Sequence, residues 1–262
     1  MMFPHHAETI RRTAEFFSSD ASVSGLLLGG SIAHGFQTAE SDVDVMILVS
    51  DEDHRERMRT GRTCFFSREL CVYEGGYVDG KYTSEAFLNE VRAKGSEPAR
   101  FAFQDAKVLF ARNADISSVL RDIARYPTAE KAARIWRFQA QFEAWNWYTG
   151  EALKRGNIPL LRTAVAKLTL FGGRIVLAHN QLLYPFHKWF LRVLESAPEK
   201  PTNLLSEIDV LAIAPTRENI EQFGRTIREF RPWEISHATW PAQFMQDSEV
   251  NWLNNPPPVD DI

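Results

Sequence analysis

The chain has 262 residues, of which 44% are hydrophobic and 24% are charged. This composition excludes intrinsic disorder, a collagen-like repeat and a disulfide scaffold, and the length suits one large domain or two modest ones. With 30 basic and 34 acidic side chains the net charge is −4, so no overall positive field predicts binding to extended nucleic acid.

The distribution of charge and the cysteine content indicate where acid chemistry lies in the chain and which cellular compartment to expect. Residues 1–112 carry 13 basic and 17 acidic side chains, while residues 113–262 carry 17 of each, so any acid chemistry belongs to the first half. The two cysteines, Cys64 and Cys71, lack a second pair that would complete a metal cage, which favours a reduced intracellular protein. No secretory leader and no run of about 18 apolar residues is visible. We therefore expect a soluble, cytoplasmic protein without a membrane partner.

The first half alternates helix and strand signals. Helical spacing of apolar residues predicts a first helix over residues 7–19, a short helix begins at Ser31, and another begins at Ser84. Strand-like runs occur at Leu26–Leu28, Val43–Val49, Arg68–Tyr73, Gly76–Tyr82 and Ala106–Phe110.

Strand signals nearly vanish after about residue 113. Helical patterns cover Ser117–Ala124, Ala129–Lys154, Pro159–His179, Pro185–Leu194, Leu204–Ile213 and Arg217–Phe230. We predict an α+β protein in which a small mixed β-sheet domain, residues 1–126, is followed by a helical bundle, residues 127–262. The bundle ends in a tail rich in Trp and Pro, Trp233–Ile262.

Two carboxylates stand out in the second predicted strand. Asp42 and Asp44 are separated by one residue, so the period of a strand puts both on one face. Like charges so close repel each other, and a Mg²⁺ ion, which prefers carboxylate and phosphate oxygens, would relieve that repulsion. The alternative interpretation of an Asp-x-Asp pair is the solvent-facing side of an antiparallel strand.

A glycine-rich turn precedes this pair by about ten residues. Gly29, Gly30 and Ser31 follow a predicted strand and open a predicted helix, where free backbone N–H groups and the Ser31 hydroxyl could cradle a phosphate. Alone, the same three residues could form only a turn. The spacing lets one short helix return the chain to a strand beside the phosphate site.

Together, Leu28-Gly29-Gly30-Ser31 and Ser41-Asp42-Val43-Asp44-Val45 resemble the motif of the DNA polymerase β-like nucleotidyltransferase superfamily. The later strands and the helical half are similar to antibiotic nucleotidyltransferases, including aminoglycoside-modifying enzymes. The resemblance implies a palm-like catalytic domain over residues 1–126 and an acceptor-binding helical domain over residues 127–262.

The resemblance also implies a third carboxylate on an adjacent strand, for the metal or as a base. Asp79 is the preferred candidate, and Glu74 and Glu69 are its competitors. Lys81, two residues further on the same strand face, is a candidate to neutralise a phosphate, although a surface lysine is an equally good interpretation.

The implied activity is Mg²⁺-dependent transfer of a nucleoside monophosphate, AMP from ATP, to a hydroxyl of a small aminoglycoside-like molecule. In this scheme Asp42, Asp44 and Asp79 are the catalytic and metal-binding residues, and Gly29, Gly30, Ser31 and Lys81 bind the nucleotide. The alternatives are transfer to a protein or RNA acceptor, or a non-catalytic nucleotide-binding or toxin–antitoxin-type module. The oligomeric state is not predicted.

Several further side chains are weaker candidates. His34 lies near the phosphate loop and could either touch the nucleotide or cap the short helix, whereas His5, His6 and His54 are expected at the surface. The helical half offers polar, aromatic and basic candidates for contacts with the acceptor: Arg134, Arg137, Gln141, Glu143, Trp145, Trp147, Tyr148, Glu151, Tyr184, His187 and Lys188. Motifs of P-loop kinases, dinucleotide-binding dehydrogenases and zinc hydrolases are absent.

Overall fold

The computed structural model describes residues 2–112, 116–233 and 239–255. Contacts within the chain divide it into two compact units, Met1–Arg125 and Tyr126–Ile262. None of the helices among the described residues is both long and apolar enough to cross a membrane.

The first unit is built on a sheet of five described strands in the order β3-β4-β2-β1-β5. The strands are β1 Val23–Leu28, β2 Val43–Val49, β3 Cys64–Ser67, β4 Val78–Thr83 and β5 Lys107–Ala111. The β2–β4 pair is parallel, and the β1–β2, β1–β5 and β3–β4 pairs are antiparallel. The sheet is therefore mixed, which confirms the predicted α+β class.

Helices pack against both faces of this sheet. They are α1 Pro4–Ser18, α2 Gly30–His34, α3 Asp51–Thr60, α4 Glu85–Lys94, α5 Glu97–Phe101 and α6 Ile116–Ile123. On one face, Leu26, Leu28 and Ile47 form a core with apolar residues of α1 and α2. On the other, Leu27 and Leu48 pack with residues of α4 and α6. The strands alternate between two cores because successive side chains point to opposite faces.

The predicted strand at Arg68–Tyr73 is wrong. The strand lies earlier, at Cys64–Ser67, and residues 68–77 form a loop that leads into β4. Leu70 and Cys71, whose apolar character suggested the strand, instead pack from this loop against the core beneath α1. The backbone N–H of Cys71 donates to the Arg68 carbonyl, which closes a turn that a strand could not contain.

The described residues of the second unit form helices and no strand. The helices are α7 Lys131–Arg155, α8 Ile158–His179, α9 Phe190–Glu195, α10 Leu204–Ile213, α11 Arg217–Phe230 and α12 Trp240–Phe244. Helices α7 and α8 pack together across a tight turn in which Gly156 adopts φ +61° and the Asn157 side chain accepts from the Leu160 N–H.

The expected tail is partly folded. Residues 234–238 and 256–262 lie outside the described residues, but residues 240–253 form α12 and two further short helical turns. These contact α7 through side chains: Trp136 Nε1 donates to Gln243 at 3.1 Å, and Gln141 Nε2 donates to Ser248 at 2.7 Å.

Candidate active site

Three carboxylates lie on one face of the sheet where β2 and β4 begin. In the parallel pairing of these strands, Asp44 lies directly opposite Asp79, and paired residues on neighbouring strands point to the same face. Asp42, two residues before Asp44, shares that face, as does Tyr77, two residues before Asp79. All four side chains are half-buried. The sheet therefore places a row of acidic groups on one face, at the accessible end where β2 and β4 begin.

The ionisation of Tyr77 reflects this concentration of negative charge. The pKa of Tyr77 is raised, first by the charge of Asp42, then by the hydrogen bond that its hydroxyl donates to the Asp42 carboxylate, with burial and the charges of Asp44 and Asp79 adding to it. Ionising the phenol here would add a further anion to the group, which the three carboxylates oppose. All three acids thus act on one neighbouring side chain.

The glycine-rich turn lies against the same carboxylates. The Gly29 N–H donates to the Asp44 carbonyl at 2.9 Å, which joins the end of β1 to the start of β2. Gly30 has φ +61°, and a β-carbon there would overlap the Asp44 carboxylate. Glycine is therefore required twice at this position, by backbone conformation and by space.

Ser31 supplies a buried donor beside this turn. Its side chain is 5% exposed, and its hydroxyl has no hydrogen-bond partner among the described residues. A buried hydroxyl without a partner is costly to a folded protein. Such a group fits a site where a bound molecule completes the hydrogen bond.

The loop before Asp42 is fixed by hydrogen bonds from two histidines of α1 and from Tyr73 of the loop before β4. His5 Nε2 donates to the Ala39 carbonyl at 2.9 Å and His6 Nε2 to the Ser41 carbonyl at 3.0 Å. Tyr73 also donates to the Ser41 carbonyl, at 2.5 Å. Ser41 immediately precedes Asp42, so these three rings fix the entry to the carboxylate pair.

The expectation that His5 and His6 lie at the surface is wrong for His6, which is fully buried. Burial lowers the pKa of His6, and the charge of His5 lowers it further. The hydrogen bond to the Ser41 carbonyl raises this pKa, but by less. Helical spacing offered a signal, because His6 lies on the same helix face as the buried residues Ile10 and Phe17.

The other candidates of the first unit occupy different places. Glu69 and Glu74 are exposed in the loop between β3 and β4, outside the row of strand carboxylates. Lys81 is exposed on β4, opposite Met46 and on the face of Asp79. His34 is packed instead: its ring stacks on Phe101 with centroids 4.5 Å apart, and its Nδ1 lies 3.2 Å from Asp105.

Most polar candidates of α7 form hydrogen bonds or ion pairs with other side chains of the second unit. Arg137 and Gln141 bind Asp247 and Ser248 of the C-terminal segment, and Arg134 pairs with Glu130 one turn away. The Glu143 carboxylate is buried and accepts two hydrogen bonds from Arg228.

The aromatic and basic candidates of the second unit differ in their burial and in their contacts. Trp145 donates to Gln141 at 3.1 Å, whereas Trp147 is 55% exposed. Tyr184 is buried and lies within hydrogen-bond distance of His187, and the guanidinium of Arg174 lies 4.3 Å from the centre of its ring.

A magnesium ion fits the donor set of the carboxylate row. Within the described residues, no three or more His, Cys, Asp or Glu side chains are placed to hold one metal ion together. Mg²⁺ in nucleotide sites, however, usually takes only one or two carboxylates and fills its shell with phosphate oxygens and water. Asp42 and Asp44 offer such a pair next to Gly30, where the fold leaves no room for a side chain.

Comparison with known proteins agrees with this geometry. Residues 10–95, about a third of the chain, match a family model described as "Nucleotidyltransferase domain". The matched segment contains the glycine-rich turn and all three strand carboxylates. The match supports a transferase as the class of enzyme.

Among solved structures, a nucleotidyltransferase-like protein from Exiguobacterium sibiricum 255-15 aligns with a TM-score of 0.49 and 10% identity, covering 97% of this chain and 82% of that one. No curated protein shows significant similarity to the sequence.

Gly30→Ala tests the close approach of the turn to Asp44, with Gly35→Ala as its control. Both glycines have positive φ, but a β-carbon at Gly35 meets no atom within 4 Å. We expect Gly35→Ala to lower the free energy of unfolding by about 1–2 kcal/mol from backbone strain alone. Gly30→Ala should lose more and should also lose Mg²⁺-dependent nucleotide binding, because the Asp44 carboxylate must move.

Urea denaturation followed by circular dichroism measures the first effect, and calorimetric titration with Mg²⁺ and ATP measures the second. Equal nucleotide affinity in the two variants would contradict the proposal that nucleotide binding depends on the close approach of Gly30 to the Asp44 carboxylate.

Proposed function

We propose that the chain transfers a nucleoside monophosphate, AMP from ATP, to a hydroxyl of a small molecule and releases pyrophosphate. One observation carries the proposal: the strand register that sets Asp44 beside Asp79, with Gly30 against the Asp44 carboxylate. An acidic row next to a turn without side chains suits a Mg²⁺-bound triphosphate.

In this scheme Asp42 and Asp44 hold Mg²⁺. The bound cation would neutralise the triphosphate and lower the pKa of the acceptor hydroxyl. The backbone N–H of Gly30 and the unpartnered Ser31 hydroxyl donate to oxygens of the β- and γ-phosphates. Lys81, on the face of Asp79, supplies a positive charge near the phosphates.

Asp79 acts on the acceptor. Its carboxylate accepts the proton of the acceptor hydroxyl while the oxygen attacks the α-phosphorus. The new O–P bond forms as the bond from the α-phosphorus to the bridging oxygen of the β-phosphate breaks, and pyrophosphate carries away that electron pair. Catalysis comes mainly from positioning and charge neutralisation, since little else is required of protein groups in such reactions.

A small acceptor is favoured over extended nucleic acid. The first 112 residues have four more acidic than basic side chains, which would repel a polyanion. We also propose that the helical unit contributes to acceptor binding. Trp147 and His187 are its candidate contact residues.

The first test is pyrophosphate release by the full chain with Mg²⁺ and each of the four ribonucleoside triphosphates, against a panel of aminoglycosides, lincosamides and a blank. We expect release with ATP that depends on an acceptor. The Asp42→Asn/Asp44→Asn variant should lose about a thousandfold or more in rate, since the metal contribution is several kcal/mol. Nucleotide binding without release for any acceptor would redirect the assignment to a protein or RNA acceptor, and no binding would refute it.

The role of Asp79 is tested against its competitors. We expect Asp79→Asn to lower kcat by about 10²–10⁴-fold, the usual contribution of a general base, with a smaller effect on nucleotide affinity. Glu74→Gln and Glu69→Gln, which change exposed loop residues, should leave kcat within about twofold. If either loop variant lost more activity than Asp79→Asn, the third carboxylate would be that loop residue.

A further inference from the structure

The short helix that follows the glycine-rich turn ends in a histidine that is paired with a carboxylate. His34 closes α2, three residues after Ser31, and its Nδ1 lies 3.2 Å from Asp105 Oδ2. The His34 side chain is only 4% exposed, whereas that of Asp105 is 53% exposed. The proposed reaction uses neither residue, so this buried polar ring requires an explanation of its own.

Two phenylalanine rings fix the plane of the His34 imidazole. The ring centre of Phe101 lies 4.5 Å from that of His34 with the planes inclined by 24°, and that of Phe36 lies 5.5 Å away with an inclination of 29°. Both rings are stacked on the imidazole, so its two nitrogens stay at the edge. Within the described part of the chain, Asp105 occupies Nδ1 and no hydrogen bond involves Nε2.

Asp105 adopts a backbone conformation that suits this pairing. Its φ is +62°, in the left-handed region that residues other than glycine rarely adopt, although Asp tolerates it better than most. The Ala106 N–H donates to the Phe103 carbonyl at 3.2 Å and closes the turn around Asp105. Such conformations persist where the surrounding structure holds them, and they cluster at functional sites. The backbone at Asp105 therefore favours a functional role for the pair over simple packing.

The pair lies next to the turn that is proposed to hold the triphosphate. Residues three apart on a helix are neighbours, with β-carbons about 5–6 Å apart, so His34 lies beside Ser31 on α2. A β-carbon at Gly29 would lie 3.9 Å from the Ala102 carbonyl, which places the segment that leads to Asp105 against the same turn. A group bound to the Ser31 hydroxyl is therefore within reach of the His34 ring.

The order of contacts along α2 assigns His34 to the last phosphate. The helix begins at Gly30, against the Asp44 carboxylate, near which the α-phosphate would react. Ser31 follows, and His34 lies three residues further, about 4.5 Å along the helix axis. A triphosphate that starts at the carboxylates and follows this helix brings its γ-phosphate to His34.

We propose that His34, oriented by Asp105, binds the terminal phosphate of the nucleotide and makes the site selective for a triphosphate over a diphosphate. This inference rests on the proposed nucleotidyl transfer, in which Gly30 and Ser31 hold the β- and γ-phosphates. With a carboxylate at one nitrogen and a phosphate at the other, the ring binds as an imidazolium, in which both nitrogens are donors. Nδ1 donates to Asp105, and Nε2 donates to a γ-phosphate oxygen. His34 is thus a phosphate-binding residue, and Asp105 is a positioning residue that acts through it.

The test compares a triphosphate with a diphosphate. Titration calorimetry of the full chain with Mg²⁺ gives the Kd of α,β-methylene-ATP and of α,β-methylene-ADP, neither of which can be cleaved at the α–β bridge. We expect the wild-type chain to bind the triphosphate more tightly. His34→Phe keeps a ring between Phe36 and Phe101 but removes both nitrogens. It should weaken triphosphate binding about tenfold or more, the effect of a lost charge-assisted hydrogen bond, while the Kd of the diphosphate stays within about twofold.

Asp105→Gly tests the positioning role. Glycine adopts a positive φ without strain, so this variant removes the carboxylate and keeps the turn. It should bind the triphosphate several times more weakly and the diphosphate as the wild type does. The double variant His34→Phe/Asp105→Gly should bind the triphosphate no more weakly than His34→Phe alone, because Asp105 acts through His34.

His54→Phe is the matched control. His54 is half-buried on α3, which follows β2 at the end opposite to Asp44, and its ring also contacts a phenylalanine, Phe87, with centroids 5.5 Å apart. Replacing it should change the Kd of neither nucleotide.

Each other outcome has one meaning. Equal losses of triphosphate and diphosphate binding in His34→Phe, or no loss of either, would overturn the inference while leaving nucleotidyl transfer intact. A wild-type chain that binds the two nucleotides equally would do the same. If His34→Phe fails to fold, full triphosphate affinity in Asp105→Gly would overturn the inference, and a loss confined to the triphosphate would support it. Failure of the wild-type chain to bind either nucleotide would instead refute the proposed function.

Discussion

The parallel pairing of β2 with β4 is the constraint on which the site depends. It places Asp44 directly opposite Asp79, and the Tyr77 hydroxyl, just before β4, donates to the Asp42 carboxylate. Anionic groups held so close repel one another, and a protein tolerates such repulsion mainly where it has a use for it. The fold accepts this cost at the end where β2 and β4 begin, beside central strands β1 and β2 that consist mainly of buried Val, Leu and Ile.

Several other features hold this edge in place. The turn after β1 is tied to Asp44 through the Gly29 N–H, and Gly30 leaves the space that the Asp44 carboxylate occupies. His5 and His6 of α1 bind the Ala39 and Ser41 carbonyls, and Tyr73 of the loop before β4 also binds the Ser41 carbonyl. The N-terminal helix thus orders the loop that ends at Asp42, so a segment distant in sequence contributes to the geometry of the acidic row.

The sequence was most informative where the chemistry is local. The glycine-rich turn and the Asp42–Asp44 pair are contained in some fifteen residues, and the period of a strand alone places both carboxylates on one face. The position of Asp79 opposite Asp44 depended on strand register, which no local pattern determines. Sequence reasoning could therefore nominate Asp79 but could not separate it from Glu74 by position.

The features that were missed depend on contacts between distant residues. The strand at Cys64–Ser67 is short and has an exposed phenylalanine, so the more apolar stretch after it gave the stronger signal. His6 looked like a surface residue near a terminus, although the apolar face of α1 carries it into the core.

The most direct measurement is a crystal structure of the full chain with Mg²⁺ and α,β-methylene-ATP. The account predicts a triphosphate lying along Gly29, Gly30 and Ser31, with the Ser31 hydroxyl bonded to a phosphate oxygen and Mg²⁺ bound by Asp42 and Asp44. A triphosphate bound elsewhere, with these two carboxylates free of metal, would contradict it.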